Sequence, residues 1–279
     1  MINKSEIITS RQNPGVKRAS ALLDKKTREF ERLFRFDGAK LFSEAVAEEL
    51  EIERVYISDN SAELIFSRVG AELERLGDGK VFFVADHVFE KMTEEKSPEG
   101  IITIAKYIDK SHKSIKINNE EYIPSANECV MLLESIRDPG NLGTMIRSAA
   151  ALGIDRLVIS SDCADIYNPK TIRAAMGGLF KLKIDKLSPS LNMAAYIETL
   201  RKSGRRVFAA ALDEGAVSLS ELALAYGDCV VIGNEGHGLD KSTVEACDGS
   251  VIIPMNEGCE SLNAAAAAVI FMWELKRAK

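Results

Sequence analysis

Three short stretches hold polar residues beyond what a turn requires. SIRDPGNLGTMIRSAAALG contributes Asn141 and Arg147, IGNEGHGL contributes Glu235 among Gly233, Gly236 and Gly238, and VIIPMNEGCESLNAAAAAVIF contributes Asn256, Glu257, Glu260, Ser261 and Asn263. Amide and hydroxyl side chains can hold a hydroxyl-bearing substrate, and a carboxylate can orient them. A guanidinium can grip a phosphate through two parallel hydrogen bonds and stabilise a developing oxyanion. Glycines let a backbone approach a ligand closely, and loops of this kind often cradle phosphate. Plain structural readings stand beside these: Asn141 and Ser261 as N-caps, Arg147 as a surface cation. The glycine run is not GxGxxG and falls near the end of the chain, so it does not by itself indicate a nucleotide site.

Each stretch follows an apolar run of strand type and opens a helix. Between residues 127 and 279 strands are expected at 128–135, 155–161, 182–187, 206–212, 228–232 and 251–253. Helices are expected at 141–153, 168–180, 190–204, 218–227, 241–249 and through the alanines from 264. Strict alternation implies a parallel sheet covered on both faces, with ligands in the crevice at the strands' C-terminal ends. A helix starting at Asn141 would put Arg147 in its second turn. The five alanines at 264–268 suit close packing against a loop, chain or second subunit. Ahead of this lies a smaller alternating α/β domain, 1–108, beginning with an amphipathic helix that turns Val16, Ala19, Leu22 and Leu23 to one face. Residues 109–126 are polar and aperiodic and read as a linker.

Bulk properties narrow the function. Two domains fit in 279 residues, and no apolar run is long enough to span a bilayer. The first residues lack the apolar core of a signal peptide, so a cytoplasmic protein is expected, with no membrane partner. Five cysteines and three histidines are scattered, without metal-site or disulfide spacing. A net charge of −6 disfavours a non-specific nucleic-acid binder. Residues 1–40, however, carry ten basic against five acidic side chains, and the rest of the chain carries −11. That basic end is a candidate RNA-facing patch or an ordinary solvated helix face.

Taken together and in this order, NLGTMIRSAAALG, VVIGNEGHGL and IIPMNEGCESLNAAAAA resemble the three motifs of the SpoU branch of the SPOUT methyltransferases, over residues 128–275. ITSRQNPGVK, FRFDGAKLFSEA and SPEGI resemble the L30e-like substrate-binding domain that precedes the catalytic domain in ribosomal RNA members, with Asp37 standing where many relatives carry Glu. The resemblance implies an α/β fold whose parallel-sheet domain is tied in a deep trefoil knot, one of the rare exceptions to unknotted topology. It implies S-adenosylmethionine as cofactor, a homodimer through the C-terminal domain, and methyl transfer to a ribose 2′-hydroxyl of RNA. Ribosomal RNA is preferred and transfer RNA is the alternative. By motif position, Arg147, Asn141, Glu235, Ser261 and Asn263 are the implied catalytic set, and Gly233, Ile253 and Leu262 the implied cofactor contacts. The family proposal makes the arginine a general base. A guanidinium scarcely deprotonates in proteins, so a charged Arg147 holding phosphate or oxyanion is the other role. Rivals are a non-catalytic RNA-binding or ribosome-assembly protein on the same fold, and methylation of a base.

Overall fold

A computed structural model describes residues 6–108, 113–115, 123–125, 127–213, 215–256, 258 and 261–278. Most of the expected linker, together with Glu257 and Glu260, lies outside the described residues. The chain divides into two compact units, Met1–Ile108 with Tyr167–Phe180, and Asp109–Ile166 with Lys181–Lys279.

The first unit runs β1 (Ile7–Ile8), α1 (Pro14–Ala21), α2 (Lys25–Glu31), β2 (Leu33–Asp37), α3 (Ala39–Ala47), β3 (Ile52–Ser58), α4 (Ala62–Leu76), β4 (Val81–Val84), α5 (Asp86–Met92) and β5 (Ile101–Lys106). Its sheet has the order β1-β4-β3-β5-β2, with β5 antiparallel to both neighbours. The single amphipathic helix expected near the start is two helices. Asp24 accepts from the Thr27 amide and starts a second one, while Val16, Ala19 and Leu22 remain in the core.

The basic end is also partly internal. Arg28 is buried and donates to the Leu22 and Leu23 carbonyls. Arg35 is buried and serves the Ala19 and Met92 carbonyls and Asp37. Arg18 pairs with Glu31 and Glu53. A buried charge needs hydrogen-bonding partners, and these carbonyls together with Asp37 supply them to the Arg28 and Arg35 guanidinium ends.

The remaining elements are β6 (Lys113–Ile115), β7 (Val130–Leu133), α6 (Pro139–Leu152), β8 (Arg156–Ile159), α7 (Pro169–Ala175), α8 (Gly178–Lys181), β9 (Lys183–Leu187), α9 (Met193–Lys202), β10 (Val207–Ala209), β11 (Val217–Ser218), β12 (Cys229–Ile232), α10 (Lys241–Ala246), β13 (Gly249–Ile252) and α11 (Ala264–Arg277). The second sheet has the order β11-β13-β10-β12-β7-β8-β9-β6, and every pairing in it is parallel. The expected parallel-sheet α/β architecture is therefore present. Every residue of β7, β8, β10 and β12 is buried, as a sheet covered on both faces requires.

Three local expectations differ. Lys113–Ile115, inside the expected linker, form β6 beside β9. The helix expected at 168–180 breaks at Met176 and Gly177, both with positive φ. Gly177, at φ 80°, takes the left-handed conformation that glycine adopts without cost, and a Cβ there would also force the Glu44 carboxylate to move. The segment around this break belongs with the first unit, where Tyr167 packs against Phe34 with ring centroids 4.8 Å apart and accepts a hydrogen bond from the Ile108 amide. Residues 218–227 do not form the expected helix. The Ala223 carbonyl accepts from Arg206 and the Ala225 amide donates to buried Asp228, so tertiary partners take the groups a helix would have paired internally.

Candidate active site

All three polar stretches lie at the C-terminal ends of strands in the second unit, after β7, β12 and β13. The first loop enters α6 through Asp138, whose side chain accepts from the Asn141 amide at 2.8 Å, with Pro139 in the first helical position. Asn141 is therefore not the cap, and the helix begins two residues earlier than expected. Relieved of capping, the Asn141 side chain faces the other two loops. Its Nδ2 donates to Glu235 Oε1 at 2.5 Å, and its Oδ1 accepts from Asn263 Nδ2 at 3.1 Å. The amide orientation follows from Glu235, which as a carboxylate can only accept.

Asn263 in turn is the N-cap of α11, its Oδ1 accepting from the Ala265 and Ala266 amides at 2.9 and 3.3 Å. The cap expected at Ser261 falls two residues later. Ser261 is exposed in the loop before it. Three of the five residues expected from the sequence are thus joined in one hydrogen-bonded chain, Glu235–Asn141–Asn263, drawn from the second loop, the first turn of α6 and the N-cap of α11.

The second loop closes on itself. Asn234 and Gly238 exchange backbone hydrogen bonds of 2.9 Å in both directions, and Asn234 Oδ1 accepts from the Gly236 and His237 amides. Gly233 sits directly beneath this closure. A Cβ there would lie 2.4 Å from the Gly238 carbonyl carbon and 2.6 Å from the Leu239 nitrogen. On the third loop Ile253 is half-buried, while Leu262 and Met255 are 41% and 40% exposed. Apolar side chains held at a polar loop crevice suit a ligand that carries both an aromatic base and charged groups.

Arg147 is not brought into the cluster. It stands in the third turn of α6, exposed, about 9 Å further along the axis from Asn141 and about 120° around it. Its side chain shares the exposed face of Thr144 and Ala151.

Several positioning groups escape sequence reasoning. Glu134, at the end of β7, is 5% exposed and accepts from Thr243 Oγ1 at 2.6 Å and the Asp240 amide at 3.0 Å, pinning the start of α10. Burial pushes its carboxyl above the ordinary range, and those two donors oppose the shift. Asn234 Nδ2 donates to the Ser135 carbonyl at 2.8 Å, linking the second loop to the first. Asn234 stands beside Gly233 in the motif and was open to notice; Glu134 reads in sequence as the ordinary end of a strand. Among the described residues no group of His, Cys, Asp or Glu is arranged to hold a metal ion.

Known proteins resemble this chain in sequence and in fold. Residues 128–273 match the SpoU rRNA Methylase family, and residues 13–103 match the MRM3-like substrate binding domain. The 23S rRNA (guanosine(2553)-2'-O)-methyltransferase RlmP of Bacillus subtilis (strain 168) is 30% identical over 269 residues, covering 96% of this chain and 98% of that protein. An AdoMet-bound rRNA methyltransferase from Sinorhizobium meliloti superposes with a TM-score of 0.79 at 28% identity, covering 98% of this chain and 97% of that one. The SpoU methyltransferase AviRb from Streptomyces viridochromogenes, in complex with the cofactor AdoMet, gives 0.77 at 25% identity, covering 95% and 98%.

Proposed function

The chain belongs to the SpoU rRNA Methylase family, and from that membership we propose that the Glu235–Asn141–Asn263 site transfers a methyl group from S-adenosylmethionine to a ribose 2′-hydroxyl of ribosomal RNA. The observation that carries the reading is the joining of three polar loops through the Asn141 amide, at the strand ends where such sheets bind ligands. S-adenosylmethionine supplies an activated methyl on a sulfonium, so the protein's task is mainly to position the hydroxyl and stabilise the charge it develops. The residues present suit that cofactor. The closed loop above Gly233 offers backbone groups, and Ile253, Leu262 and Met255 offer apolar contact for its base.

In this reading Asn141 and Asn263 hold the ribose, Glu235 fixes the Asn141 amide, and Ser261 faces the RNA from the exposed loop. Arg147 acts as a charged ligand of phosphate or oxyanion, because deprotonating a guanidinium is prohibitively unfavourable. Substrate recognition belongs to the first unit, whose match is to a substrate-binding domain. The enzyme works in the cytoplasm as a homodimer, with the trefoil knot of its family. A stripe on α11, Ala266, Ile270 and Trp273, supports the dimer: Ile270 is 36% and Trp273 58% exposed, at helical spacing on one face. Arg147 is exposed on α6, the helix against which α11 packs.

The test is incubation with labelled S-adenosylmethionine and total RNA, separated into ribosomal and transfer fractions, beside Asn141→Ala. Label in ribosomal RNA that disappears with Asn141→Ala is expected. Label in transfer RNA alone, or none in either, contradicts the reading.

A further inference from the structure

The loop that leads into α6 and Asn141 is held largely by residues outside the three polar motifs. Ser135, its second residue, has φ 55°, a left-handed conformation that side-chain-bearing residues seldom adopt. It is gripped on three sides. Its amide donates to Ser160 Oγ at 2.8 Å, its carbonyl accepts from Asn234 Nδ2 at 2.8 Å, and its hydroxyl donates to Asp162 Oδ2 at 2.7 Å. Asp162 gathers two more donors: Ser160 Oγ at 2.6 Å on Oδ1 and Arg137 Nη2 at 3.2 Å on Oδ2. The next residues follow the same path, with the Ile136 amide donating to Cys163 Sγ and the Ala164 amide donating to the Ile136 carbonyl. The segment after β8 is thus a template along which the Asn141 loop is laid.

We infer that Asp162 is a positioning residue for methyl transfer, its carboxylate locking Ser135 in the left-handed conformation that aims the Asn141 loop at Glu235 and Asn263. The inference rests on the reading of that cluster as the methyl-transfer site. The chemistry explains why the residue is a carboxylate. Three donors, two hydroxyls and a guanidinium, converge on it, and an ionised carboxylate is acceptor-only with room for all three. The hydrogen bonds from Ser160, Ser135 and Arg137 outweigh the burial that opposes ionisation and keep it below the usual carboxylate range. An asparagine of the same shape would turn an NH2 group toward one of those donors. Among the described residues Asp162 touches neither of the loops bearing Gly233, Ile253 and Leu262, and reaches the second loop only through the bond from Asn234 Nδ2 to the Ser135 carbonyl, so its effect should fall on turnover more than on cofactor affinity.

The experiment compares Asp162→Asn, Asp162→Ala and Ser135→Gly with the full-length protein by three readouts: methyl transfer to ribosomal RNA, S-adenosylmethionine affinity by titration, and amide hydrogen exchange across 135–141. Asp162→Asn is expected to lower kcat by about tenfold or more, as displaced catalytic groups do, with a much smaller change in cofactor affinity. Exchange at the 135–141 amides should rise by about tenfold as the loop opens locally. Ser135→Gly accepts the positive φ without strain and loses only one of the three donors, so its loss should be the smaller. Asp162→Ala should match or exceed Asp162→Asn; if it fails to fold, Asp162→Asn decides. Unchanged kcat in Asp162→Asn, cofactor affinity falling in parallel with kcat, or unchanged exchange would each overturn the inference. Should the unsubstituted protein transfer no methyl to RNA, the functional reading fails, and the exchange data still decide whether Asp162 sets the loop.

Discussion

Gly233→Ala isolates the closure of the second loop. The added methyl would sit 2.4 Å from the Gly238 carbonyl carbon, 2.5 Å from its oxygen and 2.6 Å from the Leu239 nitrogen. All three atoms are backbone, so no side chain can rotate away and the loop itself must open. Opening it breaks the two 2.9 Å backbone hydrogen bonds between Asn234 and Gly238. At about 0.5–1.5 kcal/mol each that is about 1–3 kcal/mol, and over-packing a tight site costs a similar ~1–3 kcal/mol. Because Glu235–Gly238 are exposed beyond the buried end of β12, the cost should appear in ligand binding more than in folding. At about 1.4 kcal/mol per factor of ten, affinity for S-adenosylmethionine should fall by about 5- to 150-fold. Calorimetric titration with the cofactor reads this directly, and thermal melting of the free protein reports the part taken up by folding. A variant that binds the cofactor as tightly as the unsubstituted protein, with an unchanged melting temperature, would refute the reasoning.

Other consequences concern pH, assembly and RNA. Burial raises the Glu134 carboxyl above its ordinary 4.5, so the folded state holds this proton more tightly than the unfolded chain. The contribution is present below the unfolded value and is lost as pH rises through the folded one. Glu134→Gln cannot ionise, so its melting temperature relative to wild type should improve as pH rises above the ordinary carboxylate value; a constant difference across pH sinks the point. For the proposed homodimer, Trp273→Glu places a charge in the exposed apolar stripe of α11 and should shift sedimentation from dimer to monomer, whereas a variant that stays dimeric excludes this stripe as the interface. Neutralising Arg11 and Lys17 should weaken binding to ribosomal RNA without altering cofactor affinity. Adding Arg18 should contribute little, since Glu31 and Glu53 already hold it. Equal losses of RNA and cofactor binding would count against the division of labour between the units.

The three polar loops were legible because each breaks the same rhythm, an apolar strand run, then polar residues, then a helix, and the spacing of those runs fixes a parallel sheet. What the sequence left open were choices between partners that only the folded chain brings together. Asn141 and Ser261 were equally good caps by type, yet Asp138 and Asn263 do the capping, and that releases the Asn141 amide to reach Glu235. The helix expected at 218–227 had the right composition but lost its backbone groups to Arg206 and Asp228. The basic end reads as solvent-facing by composition, yet Arg28 and Arg35 are buried among carbonyls that the fold brings to them. Asp162 and Glu134 carry no motif at all. Their importance comes from donors up to 109 residues away, which no local pattern records.

The atom that receives the methyl distinguishes a ribose methyltransferase from a base methyltransferase. Ribosomal RNA treated with the protein and isotopically labelled S-adenosylmethionine, digested to nucleosides and resolved by mass spectrometry, shows whether the label lies on sugar or base. A labelled ribose 2′-O-methyl nucleoside is expected, absent when Asn141→Ala is used. A labelled nucleobase would contradict it.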